Sequence, residues 1–205
     1  MKKKKKSNRK RLLADEKFVN DRTRNVDPLQ REESELTEEE IEALIEFADQ
    51  KAVQGELEHD PGNNADKIRR SKIIWLPKED FPQVYKKLWR MAQKANKEYR
   101  FDITMFIDDI QISYYDEKEE GFFRWHTDMD FSRMLRKLSI SVPLNQSSEY
   151  EGGELKFNPH GEEVTTYQKK GQGIIFPSFV LHTVTPVTKG RRYSLVAWVG
   201  GQPLR

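Results

Sequence analysis

A mainly β fold preceded by two helices is predicted by three features of the 205-residue chain. Apolar residues recur at helical spacing in only two stretches, 37–51 and 80–96. From Phe101 onward the pattern changes to short alternating or aromatic runs, cut by glycine, proline, asparagine and acidic turns. That is the punctuation of a sandwich or barrel. With about eight strands, a double-sheet jelly roll is the natural architecture, and alternate side chains then point into one interior.

Composition bounds what such a fold can be. A compact single domain of this length removes roughly 70% of its unfolded surface from water, so a real core can form. The chain is 36% hydrophobic, 11% aromatic and 34% charged, and the aromatic content argues against wholesale disorder. There is no cysteine. This excludes a disulfide scaffold, a thiolate metal site and a cysteine nucleophile, and it fits a reducing, cytoplasmic location. Residues 1–12 carry eight of the 36 basic residues and no acid, which leaves residues 13–205 with 28 bases against 34 acids. M-K-K-K-K-K lacks the apolar segment that a signal peptide places next. No later run approaches the roughly 20 apolar residues that span a bilayer, so a soluble protein with no membrane contact is expected. The lysine cluster is expected to be a solvated, disordered extension at least to residue 12. Nonspecific binding of nucleic acid or another acidic surface through residues 2–11 is the alternative.

Taken in order, residues 1–35 read as an extension, basic and then mixed in charge, irregular over 13–35 and containing Pro28. A single domain is expected over 36–205, with its β core at about 101–200. The first helix starts at Thr37, where Glu40 completes a capping box and Leu36 and Ile41 stand at the positions of a hydrophobic staple. Ile41, Leu44, Ile45 and Ala48 line one face. Residues 55–66 are turn chemistry, and His59 within them reads as solvent-exposed. I-R-R-S-K-I-I-W-L over 68–76 reads as one strand that delivers Trp75 to the core and stops at Pro77. The second helix has Asp80 near its cap, Pro82 in its first turn, and Val84, Leu88, Met91 and Ala95 as its apolar stripe. Strands are then expected at 103–107, 110–115, 122–128, 137–144, 153–157, 162–168, 173–176, 180–184 and 191–199.

The chemistry lies between Phe122 and Arg192. Within F-F-R-W-H-T-D-M, residues i and i+2 of a strand share a face, so His126 and Asp128 enter the interior together and Thr127 points away. His182, in F-V-L-H-T-V, is the other histidine among strand-like residues, whereas His160 sits in the turn N-P-H-G. Two imidazoles and one carboxylate bind a borderline metal on three positions and leave the rest open, which suits iron(II). A closed zinc site would want a fourth protein ligand. Ten residues after His182 comes Arg192, with Ser194 on its face. A guanidinium inside an apolar barrel needs an anion, because an unpaired buried charge is strongly unfavourable. A dicarboxylic acid meets both ends, chelating the metal and forking onto Arg192. Lys189 and Arg191 are nearby rivals, but Arg191 faces away from Arg192. Trp125, Phe122 and Phe123 are candidate walls beside the metal. Gly152 and Gly153 read as a bulge or a close backbone approach.

W-H-T-D, followed by E-G-G-E-L, by P-S-x-x-L-H-x-V-x-P-V and by G-x-R on the last strand, resembles the iron(II) and 2-oxoglutarate dependent dioxygenases of the prolyl 4-hydroxylase-like group, including the PKHD-type hydroxylases. The likeness covers roughly residues 68–199. It implies a double-stranded β-helix in which His126, Asp128 and His182 hold iron and form the catalytic centre. By the same resemblance Arg192 binds the distal carboxylate of 2-oxoglutarate, and Tyr115 hydrogen-bonds the cosubstrate, with Tyr114 as a rival; Ser194, on the face of Arg192, is expected to join the cosubstrate site. The implied activity is hydroxylation of an unactivated C–H bond, first of all in a prolyl or other residue of a peptide or protein. It consumes O2, converts 2-oxoglutarate to succinate and CO2, and can use ascorbate as reductant. Two departures matter: E-K-E-E lengthens the turn after the tyrosines, and Trp198 stands where nucleic-acid demethylases carry a second arginine. The reading from another class is a non-catalytic, cupin-like metal-binding module tethered by its basic tail.

Overall fold

The computed structural model describes residues 26–53, 68–129 and 133–203. Helix α1 (Glu38–Val53) begins as its sequence dictates. The Glu40 amide donates to Thr37 Oγ1 at 3.2 Å, and the Thr37 amide donates to Glu40 Oε2 at 2.8 Å. Three glutamates in its first turn complement the helix dipole. Helix α2 (Pro82–Tyr99) has Pro82 in its first turn, where the missing N–H costs nothing. Its cap position is Phe81 rather than Asp80. The helix runs past Asn96 and closes at Arg100, which adopts the left-handed conformation and donates its amide to Asn96 O at 2.7 Å.

The strands, numbered in chain order, form two antiparallel sheets. The larger runs β1 (Gln30–Glu33), β11 (Gln172–Pro177), β7 (Arg136–Pro143), β13 (Val187–Gly200), β5 (Ile110–Asp116), β3 (Lys72–Leu76). Two short strands, β4 (Met105–Phe106) and β8 (Tyr150–Gly152), also pair with β13. The smaller sheet runs β10 (Val164–Thr166), β9 (Leu155–Asn158), β12 (Leu181–Val184), β6 (Phe122–His126), β2 (Arg69–Arg70).

Period-two alternation in the larger sheet separates two cores. Ile112, Tyr114, Leu138, Ile140, Val142, Tyr193, Leu195 and Ala197 pack with Ile41, Leu44, Leu88 and Met91 of the helices. Both helices therefore share a core with one face of that sheet. The opposite face presents Tyr115, Ile174 and Phe176 to Leu155, Phe157 and Val184 of the smaller sheet. Between the sheets lies a cavity lined from both.

Several expectations change. Residues 30–33, read as irregular, form β1 and pair with β11, because a strand of alternating half-buried residues completes an otherwise open edge. The expected strand 68–76 divides: Arg69 and Arg70 pair with β6, and from Lys72 the chain pairs with β5. Ser71 is where the chain changes sheets. Ile74 and Leu76 reach the core, while Trp75 is only half-buried. The strand expected over 122–128 ends at His126. His59 and the basic tail lie outside the described residues. Among the described residues no helix is long and apolar enough to cross a membrane.

Candidate metal centre

His126 and His182 meet because their strands pair. They are direct partners in the antiparallel register of β6 and β12, so their side chains leave adjacent backbones on the same face. Asp128 arrives differently. It lies just beyond β6, where the amides of Asp128 and Met129 both donate to Ser178 O, at 2.9 and 3.0 Å. That clamp turns its carboxylate back over the imidazoles. Asp128 Oδ1 lies 3.7 Å from His126 Nε2 and Oδ2 lies 3.5 Å from His182 Nε2. One ligand atom from each residue falls within 4.8 Å of the others.

The other nitrogen of each ring is tied to backbone. His126 Nδ1 is 2.7 Å from Arg124 O and His182 Nδ1 is 3.0 Å from Val180 O. A carbonyl only accepts, so each Nδ1 carries the proton and each Nε2 lone pair points to the common centre. Burial pushes the His126 imidazole down to about 3, with His182 adding to the effect and Asp128 opposing it. Burial opposes ionisation of Asp128. The two imidazoles and the Ser139 hydroxyl outweigh it, and hold the carboxyl below its ordinary value. A neutral His126 imidazole and an ionised Asp128 carboxylate are the protonation states that metal binding needs. Ser139 Oγ donates to Asp128 Oδ2 at 2.6 Å and lies 3.0 Å from Ser178 Oγ. Phe123 stacks on His126 with ring centroids 3.4 Å apart, and Phe157 and Phe176 flank His182.

Arg192 occupies the far wall of the same cavity, 3% exposed. Its Nη1 donates to Ser194 Oγ at 3.0 Å, its guanidinium lies 5.4 Å from the Tyr115 ring centroid, and no carboxylate pairs with it among the described residues. Register separates the two tyrosines. Tyr115 is the partner of Arg192 and lines the cavity. Tyr114 is the partner of Tyr193, faces the helices and donates to Asp116 Oδ2 at 2.7 Å. Arg191 points away and pairs with Asp116, and Lys189 pairs with Glu151 in solvent. Gly153, at φ +62°, lets the backbone approach Arg192: a Cβ there would stand 3.0 Å from Arg192 Cδ and from Val187. The indole N–H of Trp198 is buried at the cavity wall, and Trp198 helps to hold the Asp128 carboxyl below its ordinary value.

Not every expected wall is present. Register shifts between β6 and β12, so Phe123 reaches the cavity. Phe122 and Trp125 instead line an outer groove, Trp125 being 38% exposed. Arg69, Gln111, Ser113, Ser139 and Ser141 also line the cavity and were not singled out from the sequence. The signal was legible in Q-I-S and S-I-S, where small polar residues alternate with isoleucine inside otherwise apolar strands.

Two packed antiparallel sheets around two histidines and one carboxylate present the donor set of a non-haem metal site. Residues 110–200 match the model of the 2OG-Fe(II) oxygenase superfamily. It is 40% identical over 79 residues to a PKHD-type hydroxylase of Synechococcus sp. (strain CC9605), a match covering 38% of this chain and 36% of that protein. A PKHD-type hydroxylase of Alteromonas mediterranea is 40% identical over 88 residues, covering 40% of this chain and 39% of the relative. The matched stretch thus spans little over a third of these relatives. The fold is that of the Pseudomonas putida prolyl-4-hydroxylase, with a TM-score of 0.70 at 21% identity over 85% of this chain and 93% of the other. A Trichoplax adhaerens prolyl hydroxylase, solved with a hypoxia inducible factor peptide fragment, superposes with a TM-score of 0.68 at 16% identity over 84% and 83% of the two chains.

Proposed function

We propose that this protein hydroxylates a prolyl or other residue of a peptide or protein, using iron(II), O2 and 2-oxoglutarate. The observation that carries the reading is a cavity with a three-residue donor cluster at one wall and, at another, a buried guanidinium that no carboxylate among the described residues pairs with. The donor set fits iron(II): two Nε2 lone pairs and one carboxylate converge, and both imidazole Nδ1 atoms and the carboxylate are held by hydrogen bonds with the protein. Iron bound there supplies oxygen activation, coupled to conversion of 2-oxoglutarate to succinate and CO2. His126, Asp128 and His182 hold the metal. Arg192, with Ser194, takes the distal carboxylate of the cosubstrate, and Tyr115 covers it. The aromatic rings of Phe123, Phe157 and Phe176 exclude water from the imidazoles. The two sheets act as the double-stranded β-helix of this class, with ascorbate as reductant.

Arg192 favours this reading over a cupin-like structural metal module, because a closed metal site has no use for an unpaired buried charge. Binding of nucleic acid or acidic surfaces by residues 2–11 is tested separately, by deleting them and measuring salt-sensitive polynucleotide binding. The direct test of function is the visible charge-transfer band of the anaerobic iron and 2-oxoglutarate complex, followed by succinate formation with peptide. His126→Ala and Asp128→Ala are expected to abolish coupled turnover. Near wild-type turnover in both would remove the assignment.

A further inference from the structure

The cavity holds a second guanidinium that the cosubstrate does not need. Arg69 sits on β2, paired with Phe123 of β6. Its guanidinium carbon lies over the Phe123 ring, 4.7 Å from the centroid, and that ring stacks on His126. Ser71 Oγ accepts from its Nε and Ser113 Oγ accepts from its Nη2, at 3.3 Å. Both acceptors are neutral hydroxyls. Among the described residues no carboxylate pairs with Arg69, whereas its neighbour Lys72 pairs with Glu119. The side chain is therefore oriented by three contacts, and the remaining N–H groups of its fork are left for an incoming group.

Charge decides what that group is. Ferrous iron, Asp128, a doubly charged cosubstrate and Arg192 are formally neutral together, so Arg69 leaves the loaded cavity with one surplus positive charge. A half-buried guanidinium fixed beside an aromatic ring binds a planar carboxylate through two parallel hydrogen bonds. A phosphate, with a charge of about −2, would overshoot.

Resting on the proposed hydroxylase reading, we infer that the substrate is acidic at the site of reaction: Arg69 binds a carboxylate of the peptide next to the residue that is hydroxylated. Three sources share this chemistry, namely an acidic side chain before the target, one after it, or the peptide's own C-terminus.

The test uses the full chain loaded anaerobically with iron(II) and 2-oxoglutarate, and calorimetric titration with three pairs of short blocked peptides, each holding one proline. The pairs are Asp against Asn before the proline, Asp against Asn after it, and a free C-terminal acid against its amide. In at least one pair the acid is expected to bind about tenfold or more tighter, the lower end for hydrogen bonds to a charged group. Added salt should shrink the preference. Arg69→Gln should reduce it below about twofold while the charge-transfer band stays, which shows a folded protein with its centre intact. Equal affinities within all three pairs, or a preference that survives R69Q, overturn the inference. Loss of the band in R69Q also overturns it, since Arg69 would then serve the cosubstrate. Absence of the band in the wild-type protein instead overturns the hydroxylase reading, and this inference with it.

Discussion

Replacing Arg192 with methionine should move two quantities in opposite directions. The guanidinium is 3% exposed, its one protein hydrogen bond among the described residues is to Ser194 Oγ, and it lies over the Tyr115 ring. Among the described residues this desolvated charge has no counter-ion, and methionine keeps the packing of the stem while removing that cost. The free R192M protein should be at least as stable as wild type. Cosubstrate binding should fall by about 2–5 kcal/mol, the loss on truncating one side of a buried charge pair, which is roughly 30- to 5,000-fold in affinity. Thermal melts of the metal-loaded protein, with and without 2-oxoglutarate, read both effects. A ligand at 100 times its dissociation constant stabilises wild type by about 2.7 kcal/mol, and that increment should vanish in R192M. An unchanged ligand shift, together with a free protein destabilised by more than about 2 kcal/mol, would mean that Arg192 is structural. It would refute the anchor assignment.

Other expectations follow from the same geometry. Ser139→Ala removes the 2.6 Å hydrogen bond to Asp128 and should weaken iron binding about 10- to 100-fold, as outer hydrogen-bond partners of ligands do, read by competition with a chelator. Unchanged affinity would show that the Ser178 backbone clamp suffices to orient Asp128. Gly153→Ala places a methyl group 3.0 Å from Arg192 Cδ at positive φ, so it should raise the 2-oxoglutarate dissociation constant while leaving the iron affinity within about twofold. Equal loss of both would point to general unfolding. The His126 imidazole is held at about 3 in the folded protein against an ordinary 6.5. Between those values the unfolded chain takes up a proton that the folded one refuses, so metal-free stability should fall as pH drops from 6.5 toward 5. His126 contributes a slope of up to about 1.4 kcal/mol per pH unit. Urea titrations of wild type and His126→Gln should differ by that slope, and parallel curves would contradict the buried neutral imidazole.

What was legible in the chain is what depends on neighbours in sequence. The Thr37–Glu40 box, the stripe of Val84, Leu88, Met91 and Ala95, and the alternation that sets Arg192 apart from Arg191 are local, because caps, helical faces and strand faces follow from backbone periods of 3.6 and 2. The candidate metal-binding side chains at 126, 128 and 182 were nameable from residue type, although alternation accounts only for the residues that lie within strands. Contacts that join distant strands were decided by the tertiary structure. Pairing of β6 with β12 brings His182 opposite His126, and pairing of β5 with β13 puts Tyr115 rather than Tyr114 beside Arg192. The Ser178 carbonyl, not strand alternation, turns Asp128 inward. Arg69 looked like one more charge in a basic run until the change of sheets at Ser71 left it on the cavity wall. Alternation specifies which face a residue takes, but strand register is set by the whole packed interior, and only register places one side chain against another.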